Sequence, residues 1–236
     1  MPTKFSSRAV RSSVMRVRRL EAEWDGGKAT VDLRGESGSP LPIVGIVGGN
    51  GSGKSMLQKM ALRLFRNAMY PDTGFADWAA VSGYGELEYG GAIATGVVKQ
   101  GKIVQSLVFP DTVLKERQVL GGLLGYNSVL CMRSFLSGSS LDSGGLGVEM
   151  VRAVLTDLYK GEIRNSVIWV DSFDVGLDDS SAREFLKVLV KKSLERDNQL
   201  IVSTARRELL SGIGEDAVRQ LSCGTNVVEK ILKTLR

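Results

Sequence analysis

The apolar positions of this chain change their period several times, and each change marks an element. Val14–Trp24 reads as a strand, with Ala29–Leu33 as its hairpin partner across Asp25-Gly26-Gly27. Glu36–Pro40 reads as a loop, and Ile43–Val47 is a continuous apolar run, as expected of a buried parallel strand. Within 55–69, Leu57, Met60, Ala61, Leu64 and Phe65 recur at helical spacing, which places them on one face. Residues 82–109 hold three extended pieces, around Leu87, Ala94–Val98 and Ile103–Phe109, separated by Gly-containing turns. Val113, Leu114, Leu120, Leu123 and Leu124, then Val129, Leu130, Phe135 and Leu136, predict a small helical subdomain at about 111–140. A Ser/Gly-rich loop (Ser137–Gly145), a helix (Val148–Leu158), a second buried strand (Val167–Val170), an amphipathic helix (Ser181–Leu194) and a third core strand (Leu200–Ser203) follow. Residues 1–14 read as a flexible tail and 15–236 as a single domain, without internal repeat or heptad seam.

One junction in this pattern carries chemistry. The apolar run Ile43–Val47 is followed by Gly48-Gly49-Asn50-Gly51-Ser52-Gly53-Lys54-Ser55 and then by the helix-like segment from Met56. Strand, glycine-rich turn and helix, in that order, make a phosphate-binding loop. Glycines let successive backbone N–H groups converge on phosphate oxygens without Cβ clashes. The helix that follows aims its positive end at the same anion. Gly48, Asn50, Gly51, Ser52, Gly53, Lys54, Ser55 and Met56 are the expected cradle. Lys54 would reach the β- and γ-phosphates of a nucleoside triphosphate, and the Ser55 hydroxyl would ligate Mg²⁺.

Composition narrows the chemistry further. The chain has no histidine, which removes Ser-His-Asp and Cys-His catalysis and histidine metal sites. Cys131 and Cys223, the two cysteines, lack metal-ligand spacing and point to a reduced, cytoplasmic setting. No apolar run is long enough to span a bilayer. The net charge of +5 is partly local: Lys4, Arg8, Arg11, Arg16, Arg18 and Arg19 fall in the first twenty residues, which contain no acidic residue. Such an arm could meet DNA or RNA, an anionic membrane or an acidic protein, or could simply be a solvated tail.

The downstream segments resemble the ABC-type ATPase family. Val167-Ile168-Trp169-Val170-Asp171 is an apolar strand ending in Asp, like a Walker B, whose carboxylate holds the Mg²⁺ shell beside the P-loop serine. Leu177-Asp178 sits at the spacing of that family's D-loop. Asp142-Ser143-Gly144-Gly145-Leu146 resembles its Leu-Ser-Gly-Gly-Gln signature, with Asp142 and Leu146 as departures. Gln105, with Leu107–Val113 after it, resembles the Q-loop, and Pro71-Asp72-Thr73-Gly74 resembles a Pro-x-Ser-Gly turn. Trp24 lies near the place of an adenine-stacking aromatic and is equally compatible with a core position. The resemblance implies an α/β fold: a P-loop NTPase core with a mixed, mainly parallel sheet flanked by helices, an N-terminal antiparallel β subdomain and a small helical subdomain. It implies ATP and Mg²⁺ as cofactors, with Lys54, Asp171 and Gln105 as catalytic residues. Ser55, Gln105 and Asp171 would lie at the metal, and Trp24, Ser143, Gly144 and Gly145 on the nucleotide. It also implies a second ABC-type subunit as partner, in a homo- or heterodimer, and allows a membrane protein partner.

Two departures bear on catalysis. The family's Walker B Asp is followed by a Glu that polarises water, and this chain has Ser172 there. Losing a general base costs about 10²–10⁴ in rate. The family's switch histidine corresponds to Ala205. Asp174 could stand in for the Glu, and Arg206 or Arg207 for the histidine. The expected activity is Mg-ATP binding with ATP-dependent head-to-tail dimerisation, slow hydrolysis and regulation or scaffolding of a partner protein. The rivals are an ATP-hydrolysing transporter subunit and a nucleic-acid-associated ATPase of repair, mobile-element or phage-defence systems.

Overall fold

A computed structural model describes residues 14–25, 27–69, 81–105, 123–126, 143–159 and 163–222, with backbone course alone for 65–69, 123–126 and 143–146. Two five-stranded sheets face each other across one helix. The first sheet is antiparallel, in the order β2-β1-β4-β5-β6, from β1 (Met15–Trp24), β2 (Gly27–Asp32), β4 (Ser82–Tyr89), β5 (Ala92–Lys99) and β6 (Lys102–Gln105). The second is parallel, in the order β10-β3-β9-β8-β7, from β3 (Ile43–Val47), β7 (Leu123–Tyr126), β8 (Val167–Val170), β9 (Gln199–Thr204) and β10 (Val218–Gln220).

Helix α1 (Lys54–Met69) lies between the sheets. Its stripe Leu57, Met60, Ala61 and Leu64 is fully buried against Leu20, Val31 and Leu87 on one side and Ile46, Trp169 and Ile201 on the other. Burying Leu57, Met60 and Leu64 is worth about 1.5–3 kcal/mol each. Gln58, also fully buried, donates from Nε2 to the Trp169 carbonyl at 3.0 Å and so fixes α1 to the middle of β8. The far face of the parallel sheet, Ile168, Val170, Leu200 and Val202, packs on Met150 and Val154 of α2 (Ser143–Tyr159) and on Phe185 and Leu189 of α3 (Asp179–Leu194).

The two sheets are stitched by polar side chains that the apolar pattern does not reveal. β2 pairs with β1 only as far as Arg19, so among the described residues Val17 has no strand neighbour on that side. Gln199, fully buried on β9, supplies one: its Oε1 accepts from the Val17 N–H at 2.6 Å, and its Nε2 donates to the carbonyls of Val17 (3.0 Å) and Leu41 (2.9 Å). Arg219 on β10 donates to the carbonyls of Asp32 (2.6 Å) and Arg34 (2.7 Å), tying the parallel sheet to the end of β2.

The strands at 15–24, 27–32, 43–47, 82–105, 167–170 and 199–204, and the helices from 54 and 179, match the expected elements within a few residues. Three features differ. Leu123 and Leu124, expected in a helix, begin β7, paired in parallel register with Val167 and Ile168. A four-residue apolar run fits either state, and the open edge of β8 decides it by supplying hydrogen-bond partners. The rest of the expected helical subdomain, the Pro71–Gly74 turn, residues 106–113 and the tail through residue 13 lie outside the described residues. Helix α2 begins at Ser143, inside the expected loop, with Gly144, Gly145 and Gly147 in its first turns. Gly147 is there for contact: a Cβ would come within 2.6 Å of the Gly176 carbonyl oxygen. Finally, β10 is three residues of mixed polarity, too short for periodicity to register.

Candidate functional site

The carboxyl ends of β3, β8 and β9 meet at the glycine-rich turn. Residues 48–53 leave β3, fold over its end and enter α1, with Gly48 N–H held by the Thr204 carbonyl (3.2 Å) and Leu57 N–H by that of Gly53 (2.9 Å). Gly51 and Gly53 have φ of 80° and 95°, in the left-handed region that side chains other than glycine rarely adopt. A Cβ on Gly53 would also fall 2.5 Å from the Trp24 ring and 2.6 Å from the Ala29 Cβ. The hairpin β1–β2 therefore presses on the outside of the turn, and Trp24 at its tip forms part of the cleft wall.

Lys54 is buried, and its ammonium donates to the carbonyls of Gly48 (2.5 Å) and Gly49 (3.0 Å). Its charge is thus held inside the loop it would share with a bound anion. Ser55 stands exposed at the mouth, and its hydroxyl donates to Asp171 Oδ2 at 2.5 Å. Asp171, at the end of β8, is 4% exposed, and its other oxygen, Oδ1, accepts from the Ser203 hydroxyl of β9. Beside it, Ser172 has φ of 54°, a left-handed conformation for a residue with a Cβ, and its N–H donates to Ser203 Oγ at 3.1 Å. Trp24, Asn50–Met56 and Ser172 together line a cleft of about 210 Å³. That is below the ~300–1,000 Å³ of sites that enclose a whole small ligand.

The expected phosphate loop, Trp24, Ser55 and Asp171 are therefore brought together, with Gly48 buried at the base of the turn. Gln105 is not among the residues that line the cleft. Gln105 closes the edge strand β6, where its Nε2 donates to Thr95 Oγ1 at 3.0 Å. Ser143, Gly144 and Gly145, which the resemblance assigns to the nucleotide of a second subunit, form the first turn of α2. Asp178 caps α3, accepting from the Ser181 N–H (3.0 Å) and hydroxyl (2.6 Å); these bonds hold its carboxyl below the usual range.

Two of the three substitutes considered for catalysis, Asp174 and Arg206, bond to each other. Arg206 Nε donates to Asp174 Oδ2 at 2.8 Å, and its Nη1 reaches Asp179 Oδ1 at 2.5 Å. The bond to Asp174 raises the Arg206 pKa, so the guanidinium stays charged at any accessible pH. Arg207 pairs with Glu215 at 2.7 Å. Ala205 is an exposed bend residue. Ser203 and Gln199 give no signal in the sequence: Ser203 closes the run that reads as a core strand and Gln199 precedes it, and only the register shows what they face.

The donor set suits a Mg²⁺-bound triphosphate. Glycines without Cβ line the anion side, and a hydroxyl paired with a carboxylate offers hard oxygen ligands. Among the described residues no group of three or more His, Cys, Asp or Glu could hold a metal alone. Mg²⁺ is commonly held by one or two carboxylates together with phosphate and water oxygens, and Asp171 beside Ser55 offers such a carboxylate.

No family model and no curated protein sequence matches the chain. Solved structures do. An SMC head domain from Thermotoga maritima is 18% identical, covering 87% of this chain and 94% of that one at a TM-score of 0.49. The cbiO1 protein of Clostridium perfringens, part of the ABC transporter complex cbiONQ, is 15% identical, covering 94% and 92% at 0.41. A nucleotide-free ATP-binding cassette from an ABC transporter is 11% identical, covering 93% and 95%, also at 0.41. All three TM-scores lie below 0.5. At such identities and scores the likeness carries no detail of the site, which is read from this chain's own side chains. No helix among the described residues is long and apolar enough to cross a membrane.

Proposed function

We propose that this chain binds Mg-ATP in the cleft over α1 and hydrolyses it slowly. The observation that carries the reading is the Ser55–Asp171 contact beneath a glycine turn that has no room for Cβ atoms. Ser55 gives its proton to the carboxylate and keeps lone pairs for a cation. Lys54, now turned onto the loop carbonyls, would exchange them for phosphate oxygens, a stronger charge-assisted pairing. Mg²⁺, when bound, neutralises charge on the phosphate oxygens. Trp24, which lines the cleft and also packs on the core, would stack on a base there, a contact worth about 1–3 kcal/mol.

Slow turnover follows from what surrounds Ser172. An alcohol is a poor base near neutral pH, and Asp174, the carboxylate two residues on, is engaged by Arg206. The small cleft supports a site completed from outside, with Ser143 and its following glycines at a helix N-terminus as the complementary surface of a second subunit. ATP would then act as conditional glue for a head-to-tail pair that regulates or scaffolds a partner protein in the cytoplasm. Sedimentation with Mg-ATP, Mg-ADP and no nucleotide tests this. Dimer formation in ATP alone, lost in Lys54→Ala, is the expected outcome; monomers under all three conditions overturn the dimer.

One observation favours an association with nucleic acid in addition. The basic arm joins the domain where Met15 N–H bonds the Asn165 carbonyl and Asn165 N–H bonds that of Arg196, beside Arg16 and Arg164. This corner lies at the entry ends of β8 and β9, opposite the cleft. Binding of DNA that weakens steeply with salt and is lost without residues 1–13 would support it; salt-independent or absent binding would remove it.

A further inference from the structure

We infer that Ser203 is a positioning residue for the metal side of the cleft: one hydroxyl sets both the rotamer of Asp171 and the backbone of Ser172. The inference rests on the Mg-ATP reading and adds a residue to it. Ser203 lies on β9, fully buried, with no route to solvent or ligand of its own. Its Oγ has one proton. The Ser172 N–H can only donate, so at 3.1 Å it takes a lone pair of Oγ. The Asp171 carboxylate can only accept, so the Ser203 proton goes to Oδ1. Each bond therefore fixes the direction of the other.

The consequence is geometric. With Oδ1 held from behind by β9, the carboxylate plane is set and Oδ2 faces Ser55. Ser172 is held in the left-handed region, which a residue with a Cβ adopts only at a cost. The Ser203 main chain adds a second restraint, its carbonyl accepting from the Phe173 N–H at 3.2 Å. Both residues after the strand are thus pinned to one position on the neighbouring strand. Outer hydrogen bonds of this kind, which orient a metal-ligating carboxylate, typically change metal affinity 10–100-fold when removed.

Mg²⁺ titrations of the full chain, with a fluorescent ATP analogue at fixed concentration, test the inference, with nucleotide affinity in EDTA as a second measurement. Ser203→Ala should raise the Mg²⁺ concentration for half-maximal binding 10–100-fold and leave affinity in EDTA within about twofold. Ser203→Thr, which keeps the hydroxyl, should restore the wild-type requirement; thermal unfolding of both variants shows whether they fold. A wild-type Mg²⁺ response that Ser203→Ala shares, or an equal loss with and without Mg²⁺, overturns the role of Ser203. A wild-type chain that binds no nucleotide overturns the Mg-ATP reading itself.

Discussion

Replacing Gln199 with leucine probes the seam between the two sheets. The side chain is fully buried and satisfies one amide and two carbonyls, at Val17 and Leu41. Leucine has similar bulk and no polar atom, so all three backbone groups lose their partner where water does not reach. Each unsatisfied buried group costs about 1–3 kcal/mol, and burying the leucine side chain returns about 1.5–3 kcal/mol. The net loss is about 1.5–6 kcal/mol, which for a domain of this size lowers the melting temperature by about 3–24 °C. Urea unfolding followed by circular dichroism and by tryptophan fluorescence gives the stability, and coincidence of the two probes licenses the two-state value. Gln199→Glu, which can accept but not donate when ionised, should also destabilise. A leucine variant within about 0.5 kcal/mol of wild type would refute the reasoning, because it would mean that these backbone groups find other partners.

The site makes further predictions. Gly53→Ala forces a Cβ into Trp24 and Ala29 at φ of 95°, so binding of a fluorescent ATP analogue should fall at least about tenfold, with about 1–3 kcal/mol lost in stability. Ser172→Gly relieves a left-handed side chain and should stabilise the fold by about 1 kcal/mol in urea titration, net of glycine's added chain entropy. Burial and the adjoining Glu86 push the Tyr84 phenol up to about 12, from an ordinary value of 10.0. The folded state therefore favours the neutral phenol. Its contribution is fully present below pH 10 and is lost as pH rises toward 12, so Tyr84→Phe should flatten stability across that window.

How much of this was legible in the chain depends on what each feature is made of. The glycine-rich turn after β3, the carboxylate after β8 and the strand-helix alternation are local patterns, legible with nearly the observed boundaries because short-range sterics and apolar period fix them. Leu123–Tyr126 could not be assigned locally, since a short apolar run becomes a strand only when an edge such as that of β8 is available. The start of α2 was masked by Gly144, Gly145 and Gly147, which read as loop but at 147 serve close packing on Gly176. Ser203 and Gln199 were invisible for a third reason: their role is defined by partners on other strands, 31 and 182 residues away in sequence. The pairing of Asp174 with Arg206 belongs to the same class, and it changes the chemistry by engaging the carboxylate that sequence spacing offered as a substitute base.

Single-turnover measurement with radiolabelled ATP separates the two halves of the proposed activity, holding and cleaving. The wild-type chain should retain Mg-ATP on a filter, and Lys54→Ala should not. Bound ATP should be cleaved at about 10⁻³–10⁻¹ s⁻¹, the rate left when a typical enzyme of about 10 s⁻¹ loses a general base. Turnover above about 1 s⁻¹ that disappears in Lys54→Ala would contradict the account, because Ser172 and an Arg206-bound Asp174 supply no base for it.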